Sequence, residues 1–220
     1  MVADDEQGRS LRVEAPAISA VAVGVLALVT LMLAEHGPLS RHMLGHIATM
    51  NILAPLLAAS LGAHARLSQK LGNAATLWSA SLIQMALLWT WHSPSVQHVT
   101  HVYPGIAVGL HAVLLLAALA FWCAVIASAA RPWQTILALL LSGKLACLLG
   151  ALLVFSPRLL VHPASAGDGG IADQHLAGLL MLSACLSSYI LAAIVITAQA
   201  ISSLHRRHAK IHQDRSPIGG

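Results

Sequence analysis

The sequence predicts an all-α, polytopic membrane helix bundle with about six transmembrane helices, and three observations carry that reading. Of the 220 residues, 57% are apolar and only 9% charged, with a mean hydropathy of +0.76, whereas a soluble domain carries about a quarter charged residues. The apolar residues form continuous runs rich in Leu and Ala instead of the alternation of barrel strands. Six nearly uncharged windows approach or exceed the roughly 20 residues that cross about 30 Å of hydrocarbon.

The first window, Ala17–Ala34, follows an acidic leader containing Asp4, Asp5 and Glu6. A secretory signal starts with positive charge, so this helix is expected to be retained although Met32-Leu33-Ala34 loosely matches a cleavage site. The second, His42–Gly62, lies between Arg41 and Arg66, and the third, Gly72–Trp91, ends at His92-Ser93-Pro94. Proline opens the fourth, Pro104–Ala127, and the fifth, Pro132–Ser156, where its missing N–H costs a helix nothing. The sixth, Gln174–Leu204, exceeds a span and is expected to emerge from the bilayer. One domain results: a cytoplasmic segment 1–16, a transmembrane domain 17–204 and a basic cytoplasmic tail 205–220.

Lys+Arg number 12 against 8 Asp+Glu, a formal charge of +4. This modest excess suits biased loop charge better than a nucleic-acid-binding surface. A cytoplasmic amino terminus places Arg9, Arg12, Arg66, Lys70, Arg131, Arg206, Arg207, Lys210 and Arg215 inside and leaves only Arg41 and Arg158 outside, so both termini are expected in the cytoplasm. Lys144 falls in the middle of the fifth window, where it is expected to face the interior and bond a buried carbonyl or Gln84. Cys123, Cys147 and Cys185 all lie within spans and form no CxxC, which argues against a disulfide framework or a zinc site.

Thirteen histidines are the commonest ionisable type. On this topology His36, His42, His46, His92, His98, His101, His111, His162 and His175 lie on the outer side, and His64, His205, His208 and His212 are cytoplasmic. His36, His98, His101 and His162 read as solvated interfacial caps, and the tail histidines beside Arg206, Arg207 and Lys210 as a segment attracted to anionic headgroups. His42 and His46 differ, because their i, i+4 spacing stacks them on one helix face, with Met50 continuing the stripe and Met43 alongside. His111 lies seven residues into its span, about 10 Å deep at 1.5 Å per residue. His92 closes the third span above Met85, and Asp173 and His175 open the sixth above Met181. Four helices thus present imidazole or thioether to one outward layer. That donor set favours copper over calcium, magnesium or structural zinc. Two histidines on facing helices, His46 and His111, would serve equally as axial ligands of a haem.

The run Arg41-His42-Met43-Leu44-Gly45-His46 continuing to Asn51-Ile52-Leu53-Ala54-Pro55-Leu56-Leu57, then Trp91-His92-Ser93-Pro94, Phe121-Trp122, and Asp173-Gln174-His175-Leu176-Ala177-Gly178-Leu179-Leu180-Met181, resembles the CtaG-type polytopic cytochrome c oxidase assembly factors, with the motifs in family order. The resemblance implies a multi-pass protein of the bacterial inner (plasma) membrane that helps copper reach a haem-copper oxidase. It points to His42, His46, His92, His111 and Asp173 as the polar positions, with Met181 following. Two departures stand out: His175 where the family usually has a second Gln, and Ala177-Gly178 where it has Gly-Gly. The chain is also short for the family, which often has a further span.

The expectation is therefore a non-enzymatic assembly factor that binds Cu(I) transiently and delivers it to an oxidase subunit, with the lipid bilayer and a periplasmic copper carrier as its other partners and no nucleic acid. His42, His46, His92, His111 and His175 are the candidate metal ligands. Met43, Met50 and Met181 are candidate soft ligands, and Asp173 is expected to orient an imidazole. The alternatives are a bis-histidine haem protein and a metal-free scaffold for a nascent oxidase subunit. No G-x-S-x-G or H-E-x-x-H occurs to suggest a hydrolase.

Overall fold

The computed structural model describes residues 37–62, 71–128, 130–160 and 169–215. The window Ala17–Ala34, the segment 1–16, and His36, His64 and His162 lie outside the described residues. Among the described residues every regular element is helical. They are α1 (Pro38–Ile47), a π-helical turn (Ala48–Leu53), α2 (Ala54–Gly62), α3 (Ala74–Trp91), α4 (Pro94–Val102), α5 (Pro104–Ala127), α6 (Pro132–Phe155) and α7 (Gly170–Arg215). α1, α4, α5 and α6 each begin with proline in the first turn, and α3 is capped by Asn73, whose side chain accepts from Thr76 N–H at 2.7 Å.

Four helical stretches among the described residues are long and apolar enough to cross a membrane: Pro38–Leu61, Pro104–Ala127, Pro132–Phe155 and Gly170–Arg206. These match the second, fourth, fifth and sixth windows. α3 forms where the third window lies but is less apolar, carrying Trp78, Gln84, Trp89 and Trp91, and is not among the four. α7 runs unbroken past Leu204 to Arg215, so the tail begins as a continuation of the helix. The short helix α4 is an element the window reading left as a connection, because nine residues with polar Gln97, His98, Thr100 and His101 give no membrane signal.

Helix pairing closes a ring. The α1–π–α2 rod packs on α7 and α5, α7 on α6, α6 on α3, and α3 on α5. The α6–α7 crossing is closest at Gly150 and Gly178: a Cβ on Gly178 would lie 2.7 Å from the Gly150 carbonyl oxygen and 2.7 Å from Val154 Cγ2. Small residues let two backbones approach in a membrane, where dispersion replaces the hydrophobic effect as the driving force. Ala177 beside them is fully buried. Inside the ring Tyr189 stacks on Trp122 at 5.8 Å and accepts from Gln84 Nε2 at 2.9 Å, while Ser81 and Ser142 join α3 to α6 at 2.7 Å.

Gln84 Nε2 is engaged by Tyr189 while its Oε1 has no hydrogen-bond partner among the described residues, and Lys144 is exposed on α6. The expectation that Lys144 turns inward to Gln84 is corrected. Ser142, Gly143 and Ala146 take the buried face of α6, and a 3.6-residue repeat carries position 144 away from it.

The π turn follows from Pro55. Proline lacks the N–H that would close an α-helical bond to residue 51 and its ring crowds that carbonyl, so the ladder upstream widens. Ala54 N–H accordingly bonds Thr49 O, which leaves the Met50 carbonyl without its helical donor. Trp122 Nε1–H on α5 supplies one at 2.9 Å. Asn51-x-x-x-Pro55 and Phe121-Trp122 are therefore two halves of one device, a widened turn and the indole that satisfies it. Trp122→Phe is expected to leave the Met50 carbonyl unpaired and to lower stability by about 1–3 kcal/mol, read as a reduced thermal midpoint in detergent.

Candidate metal centre

At one end of the ring, the start of α1, the end of α3 and the start of α5 converge. His42 and His46 project from α1 one turn apart, His92 caps the C-terminus of α3, and His111 follows two turns into α5. The ligand nitrogens of His42, His46 and His92 all lie within 4.8 Å of one another, and the Nε2 atoms of His42 and His46 are 2.9 Å apart. The His111 ring lies 5.4 Å from that of His42 and 5.2 Å from that of His46 between centroids.

Backbone carbonyls fix which nitrogen each outer partner offers. His92 Nδ1 is 2.7 Å from Leu88 O and His111 Nδ1 is 2.9 Å from Ala107 O. A carbonyl only accepts, so both Nδ1 atoms carry the proton and both Nε2 atoms keep a lone pair. His92 Nε2 and His46 Nδ1 are buried with no hydrogen-bond partner among the described residues. Unpaired buried nitrogens are costly unless something binds them, and three imidazole nitrogens converging this closely need to shift only slightly to share one ion at roughly 2 Å each.

Trp91, which the sequence reading quoted only as part of a motif, is 3% exposed and packs on three of the imidazoles, 4.3 Å from His111, 5.3 Å from His46 and 5.4 Å from His42 between centroids. Above the cluster opens a chamber of about 290 Å³ bordered by His42, Trp91, Gln97, Thr100, His101 and His111. Gln97 is 6% exposed, and neither of its amide atoms has a hydrogen-bond partner among the described residues.

Asp173 does not orient an imidazole, which corrects that expectation. Its carboxylate accepts from Leu39 N–H at 2.8 Å, Ser40 N–H at 3.1 Å and Ser40 Oγ. It therefore caps the first turn of α1 from α7, neutralising the positive end of the helix that carries His42 and His46. Gly37 and Gly169 have no side chain here because a Cβ on either would collide with that of Asp173. The adjacent Gln174, fully buried, works on the other neighbour: its Nε2 donates to Leu153 O at 3.2 Å and Arg158 O at 3.1 Å, and its Oε1 accepts from Leu160 N–H at 2.7 Å. The pair thus ties α7 to the start of α1 and the end of α6.

His175 is half-buried on α7 and outside the cluster, because Asp173 and Gln174 take the inward face of that turn. Met43, Met50 and Met181 are buried and, with His46, line a small cavity. His98 and His101 ride on α4, and His205 is exposed on α7 with Nδ1 3.1 Å from Ile201 O.

The family profile described as cytochrome c oxidase caa3 assembly factor (Caa3_CtaG) matches residues 10–203. The chain belongs to this family. No curated protein and no solved structure matches it. Membership makes it a multi-pass membrane protein of oxidase assembly, with the oxidase and membrane lipid as its partners. Each of the motifs that carried the resemblance now has a place in this caa3-type assembly factor: the first and second supply the imidazoles, Phe121-Trp122 satisfies the π turn, and Asp173-Gln174 clamps the helices.

Proposed function

We propose that this assembly factor holds Cu(I) as cargo at His42, His46 and His92, with His111 alongside, and releases it to a haem-copper oxidase subunit. The observation that carries the reading is the convergence of three imidazole nitrogens within 4.8 Å, two neighbouring nitrogens having been left as lone pairs by backbone carbonyls. Neutral imidazoles bind a borderline-soft monovalent ion without adding charge to a low-dielectric site, and the face of Trp91 offers a weak electrostatic counterpart to the ion's positive charge. The open chamber beside His42 and His111 gives the ion a route to a partner. Exchange between ligand sets of similar strength needs no acid, base or covalent step from the protein, which accords with a non-enzymatic role. The charge bias of the loops supports an outward orientation for this end of the ring, where a periplasmic carrier would load it. A bis-imidazole haem is served less well, because His46 and His111 stack at 16° with centroids 5.2 Å apart, face to face instead of directing nitrogens at a common centre.

The test offers one equivalent of Cu(I) to detergent-purified protein under reducing conditions and compares the parent with His42→Ala/His92→Ala. Copper retained by the parent and lost by the variant, with no Soret band, is the expected result. A Soret band without copper would replace this reading with the haem protein, and neither signal would leave a scaffold for a nascent oxidase subunit.

A further inference from the structure

Beside the imidazole cluster, where α1 and the π turn face α7, lies a small, partly open cavity of about 10 Å³. It holds one water-sized sphere and no organic ligand. Met43, His46, Met50 and Asn51 line it from the first rod and Met181 and Cys185 from α7, and Leu88 of α3 and Ala146 of α6 add apolar wall. Met181 and Cys185 are one turn apart on α7, as His46 and Met50 are on the first rod, so two facing helix surfaces contribute four sulfur atoms. We infer that this cavity is a second, deeper metal site, a sulfur-ligated Cu(I) site formed by Met43, Met50, Met181 and Cys185 and adjoining the imidazole site at the ring of His46. The inference rests on the copper reading above and assigns Cys185, which nothing in that reading uses.

The donor chemistry selects the ion. Three thioethers and a thiol with no carboxylate exclude hard cations and suit a soft monovalent one. Burial selects the charge: Met43, Met50, Met181 and Cys185 are 1%, 5%, 3% and 8% exposed, and an uncompensated charge there is expensive. Cu(I) with one thiolate is neutral, whereas a divalent ion would leave a net positive charge. Two polar groups are placed for this exchange. Asn51 Nδ2, brought round by the π turn, donates to Cys185 Sγ at 3.6 Å, a contact that strengthens as the sulfur becomes anionic. His46, 4% exposed, has its Nδ1 buried without a partner. As Cu(I) enters, the Cys185 S–H bond breaks, a Cu–S bond forms, and one proton is released to solvent. No electron moves. The deep site retains the ion and the imidazole site exchanges it.

The test loads the full-length protein with Cu(I) anaerobically, counts bound equivalents against a chromophoric chelator, and reads the ligands by X-ray absorption. The parent is expected to bind two equivalents, one with sulfur scatterers. Cys185→Ser/Met181→Leu should lose one equivalent and all sulfur scattering while keeping imidazole-bound copper. His42→Ala/His92→Ala should lose the other and keep the sulfur-bound ion. A parent spectrum without sulfur at two offered equivalents, the cavity then holding water, overturns the inference whether or not the variants fold. So does unchanged sulfur scattering in Cys185→Ser/Met181→Leu. If His42→Ala/His92→Ala retains both equivalents, the imidazole reading fails, while the sulfur signal still decides the deep site.

Discussion

His46→Ala is expected to reduce Cu(I) retention more than any other single substitution, by roughly 100-fold or more, which corresponds to about 2.8 kcal/mol or more. The ring joins the two groups of donors: its Nε2 is 2.9 Å from His42 Nε2, and the same side chain lines the cavity of Met43, Met50 and Met181. Alanine removes one proposed ligand from the imidazole cluster and one wall of the small cavity. Copper content of the co-expressed oxidase should fall in parallel. His175→Ala, outside the cluster, should leave both values near those of the parent. Chelator competition on the purified proteins and metal analysis of the oxidase check the pair, and equal copper retention in the His46 and His175 variants would defeat the assignment.

Asp173→Ala is expected to destabilise the protein by about 3–6 kcal/mol, from two of its three charge-assisted bonds, those to backbone N–H, at roughly 1.5–3 kcal/mol each, with the Ser40 Oγ bond lost besides. The carboxylate is 5% exposed and accepts from Leu39 N–H and Ser40 N–H, donors at the start of a helix that have no intrahelical partner. Asp173→Asn keeps an acceptor oxygen but loses the charge opposite the helix dipole, so it should fall between the parent and alanine. Because the clamp holds α1 and not an imidazole directly, copper affinity should decline in step with thermal stability across the series. A drop in affinity with an unchanged thermal midpoint would return Asp173 to the metal site itself.

The fold and the site differ in how far local sequence reached them. Length and hydropathy were sufficient for Pro38–Leu61, Pro104–Ala127, Pro132–Phe155 and Gly170–Arg206, because spanning the bilayer requires about 20 apolar residues in a row regardless of neighbours, but not for the nine-residue α4. The pairing of His42 with His46 was legible for the same local reason, a one-turn spacing. Pro55 was visible as a motif residue, but its consequence was not: the widened turn is tolerable because Trp122, 72 residues away, donates to the freed carbonyl. Asp173 illustrates the opposite limit. An acidic residue one position before a glutamine and two before a histidine suggests an imidazole partner by proximity in sequence, yet its partners lie 133 and 134 residues away at Ser40 and Leu39.

The division of the soft donors depended on packing as well. Met43, Met50 and Met181 share helix faces with the site, and from spacing alone they belong with the histidines in one layer. In the folded ring they line a small cavity with His46, whose ring is 5.4 Å from that of His92 between centroids. The close approach of Gly150 and Gly178 sets how near α7 comes to α6, and the Asp173 clamp sets where it meets α1, so Cys185 faces Met43 and Met50 across a small cavity. The sequence by itself determined the helical class, the membrane setting and the one-turn pairing of His42 and His46, since each follows from composition or from the 3.6-residue repeat of a single helix. Only the tertiary structure decided which nitrogens stay unpaired, which donors meet across the ring and where Asp173 acts, because those depend on how separate helices are rotated and spaced against one another.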